Sequence, residues 1–146
     1  YVAGKTERDF KNAVLQDGDV VIADTAEDET VGKACELIHT EERCVVAGLH
    51  TIVCRPRIKM AGGYLGYYIN SDAYHRQLLP LMQGVKVLSI SRANIQKTEI
   101  MYPAELSEQL RIAECFGGID KCITRHDNQV KKLETIKKSL LKKMFV

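Results

Sequence analysis

The chain has 146 residues, 45% of them hydrophobic, and a net charge of +2. That length fits one domain with a real core, or one domain and an extension. It holds no run of 18 apolar residues to cross a membrane and no leader-like opening, since Tyr1-Val2-Ala3-Gly4-Lys5 turns polar at once. The five cysteines (Cys35, Cys44, Cys54, Cys115 and Cys122) are odd in number and form no C-x-x-C pair. This argues against a disulfide framework and a zinc site, and for reduced, mostly buried thiols in a cytoplasmic protein.

In chain order, Tyr1 to Asn12 reads like the middle of a domain, and the first residue is not Met. The chain is therefore expected to be a piece shortened at its front. Asp17-Gly18 signals a turn, and Asp19-Val20-Val21-Ile22-Ala23 follows as a short buried strand. The stretch from Asp24 to Thr30 is an acidic loop; it lacks the alternating oxygen ligands and central glycine of a calcium loop. Cys44 to Ala47 and His50 to Cys54 predict two neighbouring strands, the second ended by Pro56. Gly62-Gly63 breaks the chain before a helical stretch from Tyr64 to Met82, in one or two pieces. Within it, Gly63-Tyr64-Leu65-Gly66 matches a GxxG nucleic-acid clamp over only four residues, and a glycine turn opening a helix is the favoured reading. Val85 to Ile90 and Glu99 to Tyr102 are further strand candidates.

Pro103 marks a boundary, so residues 1–102 form one predicted unit and 103–146 another. Ala104 to Phe116 predicts a short helix closed by Gly117-Gly118. From Ile119 a seam of alternating four- and three-residue spacing runs through Ile123, His126, Val130, Leu133, Lys137, Leu140 and Met144. It predicts a long coiled-coil-type helix over 119–144, about 40 Å at 1.5 Å per residue. Such a stripe needs a helical partner that this chain does not supply. The expected fold is therefore α+β: a small mixed body followed by a long helix. The partner helix is expected in another part of a longer protein, in a second copy or in another subunit.

No phosphate loop, nucleophile elbow, dinucleotide fingerprint or paired metal-ligand histidines occur, so no catalytic residue, metal or cofactor is expected. A nuclease needs a carboxylate cluster with lysine, and a base methyltransferase an aromatic-Pro-Pro pocket. Neither is present, and proline stands only at positions 56, 80 and 103.

Charge is unevenly spread: −7 over residues 1–42, +6 over 43–102 and +3 over 103–146. The basic middle mixes Arg43, Arg55, Arg57, Lys59, Arg76, Lys86, Arg92 and Lys97 with Tyr64, Tyr67, Tyr68 and Tyr74, and with the amides Asn70, Gln77, Asn94 and Gln96. Lysine and arginine neutralise phosphates, arginine pairs with guanine, and Asn or Gln with adenine. The alternative is tyrosines in the core and charges merely solvated. By charge and residue type the candidate DNA contacts are Thr25, Lys33, Arg55, Arg57, Lys59, Tyr64, Arg76, Arg92 and Asn94. The candidate helix-packing residues are Ile119, Ile123, Val130, Leu133, Leu140 and Met144.

These residues also carry a family likeness. Asp17 to Thr25, Val46 to Ile52, Tyr64 to Ser71 and Gly84 to Ile95 resemble segments of the recognition domains of type I restriction–modification S (specificity) subunits. Pro103, Glu108-Gln109, Ile112-Ala113, Ile119-Asp120, Ile123 and the run Leu133 to Phe145 are similar to the pattern that opens and fills their spacer helix, which is the more specific part. The resemblance runs from about residue 13 to the end. It implies a non-catalytic subunit of bacterial defence that reads one half of a split target in double-stranded DNA. Its helix would pair with that of a second recognition domain, set the half-site spacing and dock methylation subunits, and restriction subunits would join through them. It gives no residue-level base code. The competing reading is a helical assembly scaffold or an RNA-binding module without DNA sequence preference.

Overall fold

The structure is a computed structural model, and it describes residues 14–28, 30–40 and 44–145. The opening segment, Glu29 of the acidic loop and Arg43 of the basic set lie outside the described residues. The fold is mixed α+β with a long C-terminal helix. Two compact units divide at Ala113/Glu114.

In the first unit, strand β1 (Val20–Ala23) lies between β3 (Ala34–Glu36) and β4 (Thr51–Cys54), antiparallel to both. Alternation along β1 sends Val20 and Ile22 into the core while Val21 stays half-buried. A second, two-stranded ladder pairs β2 (Thr25–Ala26) with β5 (Leu88–Ser89). Helix α1 (Tyr64–Ile69) contributes Tyr64, Leu65 and Ile69 to the core, and α2 (Asp72–Leu78) contributes Tyr74 and Leu78. Ser71 caps α2, its hydroxyl accepting from the Tyr74 N–H. A 3-10 turn over Leu79–Leu81 and the short helix α3 (Arg92–Ile95) complete the layer.

Two strand predictions come out differently. Cys44 to Ala47 does not pair with β4. Val46 bridges Val14 instead, and the Leu15 N–H donates to the Val45 carbonyl. β-propensity marks such a segment as extended without naming its partner. Glu99 to Tyr102 forms no ladder, because side chains take the place of a neighbouring strand. Gln77 both accepts from the Glu99 N–H (2.9 Å) and donates to the Glu99 carbonyl (3.0 Å). Tyr68 accepts from the Met101 N–H, and the Tyr64 hydroxyl donates to the Met101 carbonyl.

The two predicted C-terminal helices are one, α4 (Leu106–Met144), of 39 residues. Gly117 and Gly118 do not end it. Two interior glycines cost about 1 kcal/mol each relative to alanine, a cost that a helix of 39 residues absorbs. The first turns of α4 belong to the compact body. Gln109 is only 1% exposed there. Its Oε1 accepts from the Ala61 N–H (2.9 Å), and its Nε2 donates to the Pro103 carbonyl (2.7 Å). Ala113 is buried beside Gly63, where a Cβ would stand 3.4 Å from the alanine's.

Replacing Gln109 by Leu keeps the volume but leaves a buried N–H without an acceptor, which costs about 1–3 kcal/mol. Urea denaturation is expected to show that loss for Gln109→Leu and almost none for Glu108→Leu, which is exposed.

Candidate nucleic-acid interface

The candidate cations fall into groups set by the elements that carry them. Arg55, Arg57 and Lys59 all stand on the connection that leaves β4, and all are exposed. Pro56 fixes the backbone between the two arginines. Arg92, at the start of α3, reaches the same strand end. Against the expectation of buried thiols, Cys35, Cys44, Cys115 and Cys122 are exposed and Cys54 is half-buried; burial pushes the Cys54 thiol up, and the positive charge of Arg92 partly opposes that push. Lys33 lies elsewhere, on the turn before β3, at the rim of a hollow of 580 Å³ that also takes in Asp28, Asn70, Asp72 and His75. Arg76 projects from α2 and is exposed.

Arg55 has a structural partner. Its Nε and Nη2 donate to the two oxygens of Asp19 at 2.7 and 2.6 Å, and the Gln16 N–H donates to the same carboxylate. Asp19 is 1% exposed, so this fork compensates a buried charge at the entry to the central strand. The Arg55 hydrogen bonds hold the Asp19 carboxyl below its ordinary range. Asp17 is held low as well, first by the Thr40 hydroxyl and then by the Thr40 N–H. Both carboxylates face a hollow of 660 Å³, together with Glu36 and the apolar Ile38, Ile58, Met60 and Leu110. Arg55 and His39 line it too, but three carboxylates against one arginine leave it net acidic, which disfavours a phosphate.

Three further residues are engaged inside the body. Tyr64 is buried at 6% exposure, with its hydroxyl given to Met101, so it does not stand at a surface that DNA can reach. Asn94 donates to the Leu81 carbonyl at 2.9 Å and accepts from Lys97 Nζ at 3.2 Å. Its amide is occupied at both ends and cannot pair bidentately with adenine as it stands. Thr25 is half-buried and donates to Asp24 Oδ1, which also lies 3.6 Å from His50 Nδ1.

Asn70 explains why amides mislead a sequence reading. Its Oδ1 accepts from the Ala34 N–H and its Nδ2 donates to the Ala34 carbonyl, closing the open edge of β3. A peptide group offers a donor beside an acceptor, just as adenine does, so residue type alone cannot separate the two uses. The GxxG match is likewise satisfied internally. The N–H groups of Gly63 and Gly66 donate to the two oxygens of Glu36 at 2.9 and 2.7 Å. A protein carboxylate sits where a nucleic-acid phosphate would be clamped.

Along α4 the candidate packing residues Ile119, Ile123, Val130, Leu133, Leu140 and Met144 are all exposed, Leu133 at 65% and Met144 at 71%. Ile112 and Phe116 extend the same four-three spacing toward the body. Ile112 packs against the core, whereas the stripe from Ile119 to Met144 is exposed; among the described residues no group of three His, Cys, Asp or Glu side chains is placed to hold a metal. No helix among them is long and apolar enough to cross a membrane.

Compared with known proteins, the chain matches no family model. It is 22% identical, over 99% of its own length, to a protein of Methanocaldococcus jannaschii named provisionally as the type I restriction enzyme MjaX specificity subunit. The chain spans about a third of that relative, 34%.

The Asp19–Arg55 fork predicts an acid-sensitive fold. With the carboxyl held low, the unfolded chain binds the extra proton first. The pair's stabilisation is therefore complete above about pH 5 and is lost as pH falls through the lowered value. Arg55→Ala is expected to lower Tm at pH 7 and to flatten the fall in Tm between about pH 5 and pH 2. Arg57→Ala should change neither. Thermal melts followed by circular dichroism measure both.

Proposed function

We propose that this chain is a non-catalytic reader of DNA sequence, the recognition body and helical rod of a type I specificity subunit. One observation carries the reading: the likeness to a protein named as such a subunit extends over 99% of the chain, body and helix alike. The architecture supports it. An α+β body with exposed cations is joined to a long helix whose apolar stripe from Ile119 to Met144 is exposed.

In this reading Arg57, Lys59 and Arg92 meet DNA around the end of β4, while Lys33 and Arg76 make outlying phosphate contacts. Arg55 contributes mainly by fixing the connection that presents Arg57 and Lys59. The stripe on α4 takes a second helix, sets the distance between two half-sites and carries the docking of methylation subunits. Restriction subunits join through those. The scaffold reading rests on the same stripe, but it leaves the cations around β4 without a role.

If Arg57 reads guanine, Arg57→Ala should weaken binding to the preferred duplex by roughly 1–3 kcal/mol and relax the preference at one base pair. Lys59→Ala should weaken all duplexes alike and make binding less salt-dependent. Fluorescence anisotropy over a salt series separates the two behaviours. Leu133→Asp together with Leu140→Asp is expected to abolish assembly with the methylation subunit in co-purification while leaving the body folded. The full natural protein, co-expressed with that subunit, should mark a split motif on genomic DNA. One half of the motif should change when residues 1–102 are exchanged for those of another such subunit. An unchanged motif after the exchange would leave only the scaffold.

A further inference from the structure

One exposed apolar side chain in the body is held in a way that packing alone does not require. Val85 is 99% exposed. Single exposed apolar residues are ordinary on protein surfaces; what distinguishes Val85 is the framework behind it. The loop that carries it is closed at its base by a reciprocal pair of backbone hydrogen bonds. The Gln83 N–H donates to the Ser89 carbonyl at 2.9 Å, and the Ser89 N–H to the Gln83 carbonyl at 2.8 Å. Beyond that closure, Leu88 packs against the core and β5 pairs with β2. Gly84 makes the bend at φ +125°, where a Cβ would lie 1.9 Å from the Val87 carbonyl oxygen. No other residue fits there without moving the loop. Valine is itself stiff about χ1. Little freedom is therefore lost when the tip meets a partner.

The chemistry of the tip narrows what that partner is. The loop carries one charge, Lys86, and β2 leads directly into the acidic pair Glu27 and Asp28. This edge is a poor phosphate binder. Its distinctive offer is a small branched hydrocarbon on a rigid arm. In the major groove one base presents a complementary group: thymine, through its C5 methyl.

We propose that Val85 is a specificity-determining contact that reads the methyl of one thymine in the target half-site. The proposal rests on the DNA-reading function above and adds to it a base class and a residue outside the cationic set.

The test is a crossed substitution. Duplexes preferred by the wild-type chain are selected from a random library. Each thymine of the preferred sequence is then replaced by deoxyuridine, which deletes the methyl alone. One such replacement is expected to weaken wild-type binding about three- to fivefold, the worth of one buried methyl. It should have no effect on Val85→Ser, whose binding should already be weaker by a similar factor. Because Val85 packs against nothing, the serine variant is expected to keep the wild-type circular dichroism spectrum and Tm. If the deoxyuridine penalty persists undiminished in Val85→Ser, or if no thymine methyl matters to the wild type, the assignment is overturned. If the wild-type chain enriches no sequence at all, the DNA-reading function itself falls, and this contact with it.

Discussion

Asp19 lies almost wholly out of solvent at the entry to the central strand, and a lone carboxylate cannot stay there. Arg55 compensates it with two charge-assisted bonds, and the Gln16 N–H supplies a third. The fork ties the segment before β1 to the end of β4, the strand that leads into Arg57 and Lys59. The buried charge thereby positions the exposed ones. Removing the arginine would strand the carboxylate, whereas two well-packed apolar residues in place of the pair could be nearly neutral. On that argument the pair serves to fix one arrangement of the connection after β4 more than to add stability.

The same economy recurs through the body. Among the described residues no strand exceeds four residues, so ladders alone leave many backbone groups without partners. Side chains take over: Asn70 along the edge of β3, Gln77 on Glu99, Glu36 on two glycine N–H groups, and Gln109 between Ala61 and Pro103. Among the described residues no buried side-chain nitrogen or oxygen is left without a hydrogen bond. A small core is held in register by polar clips of high directionality, each specific to one peptide group.

That economy also decides what could be read from the sequence. The α+β class, the strand after Asp17-Gly18, the helices between Gly63 and Met82 and the helical stripe were legible, because periodicity and turn residues report local geometry. The partner of Cys44 to Ala47 was not, since pairing at long range leaves no local mark. Gly117-Gly118 suggested a break that a helix of 39 residues absorbs. In the candidate site the cations of the β4 connection were legible as charge, but Tyr64 and Asn94 were not legible as internal ties. A phenol or an amide carries the same donors and acceptors whether it meets a base or a peptide. Gln109 showed only as part of a family-like pattern, and nothing in its surroundings announced a buried anchor. Val85 gave no signal, because valine in a strand-like run is expected to be inside.

The amide clips also make the body sensitive to the identity of one side-chain atom. Asn70 shows this, although the N–H of the following Ser71 is held by the Tyr68 carbonyl at 3.0 Å and is not free to attack the amide. The Asn70 Nδ2 lies 2.8 Å from the Ala34 carbonyl oxygen and 2.6 Å from that of Gly66. Exchanging that nitrogen for oxygen would replace this donor with a carboxylate oxygen facing two acceptors. The β3 edge and α1 would then repel where they now bind. A change of one side-chain atom would thus act on the fold like a charge inserted into a strand pair.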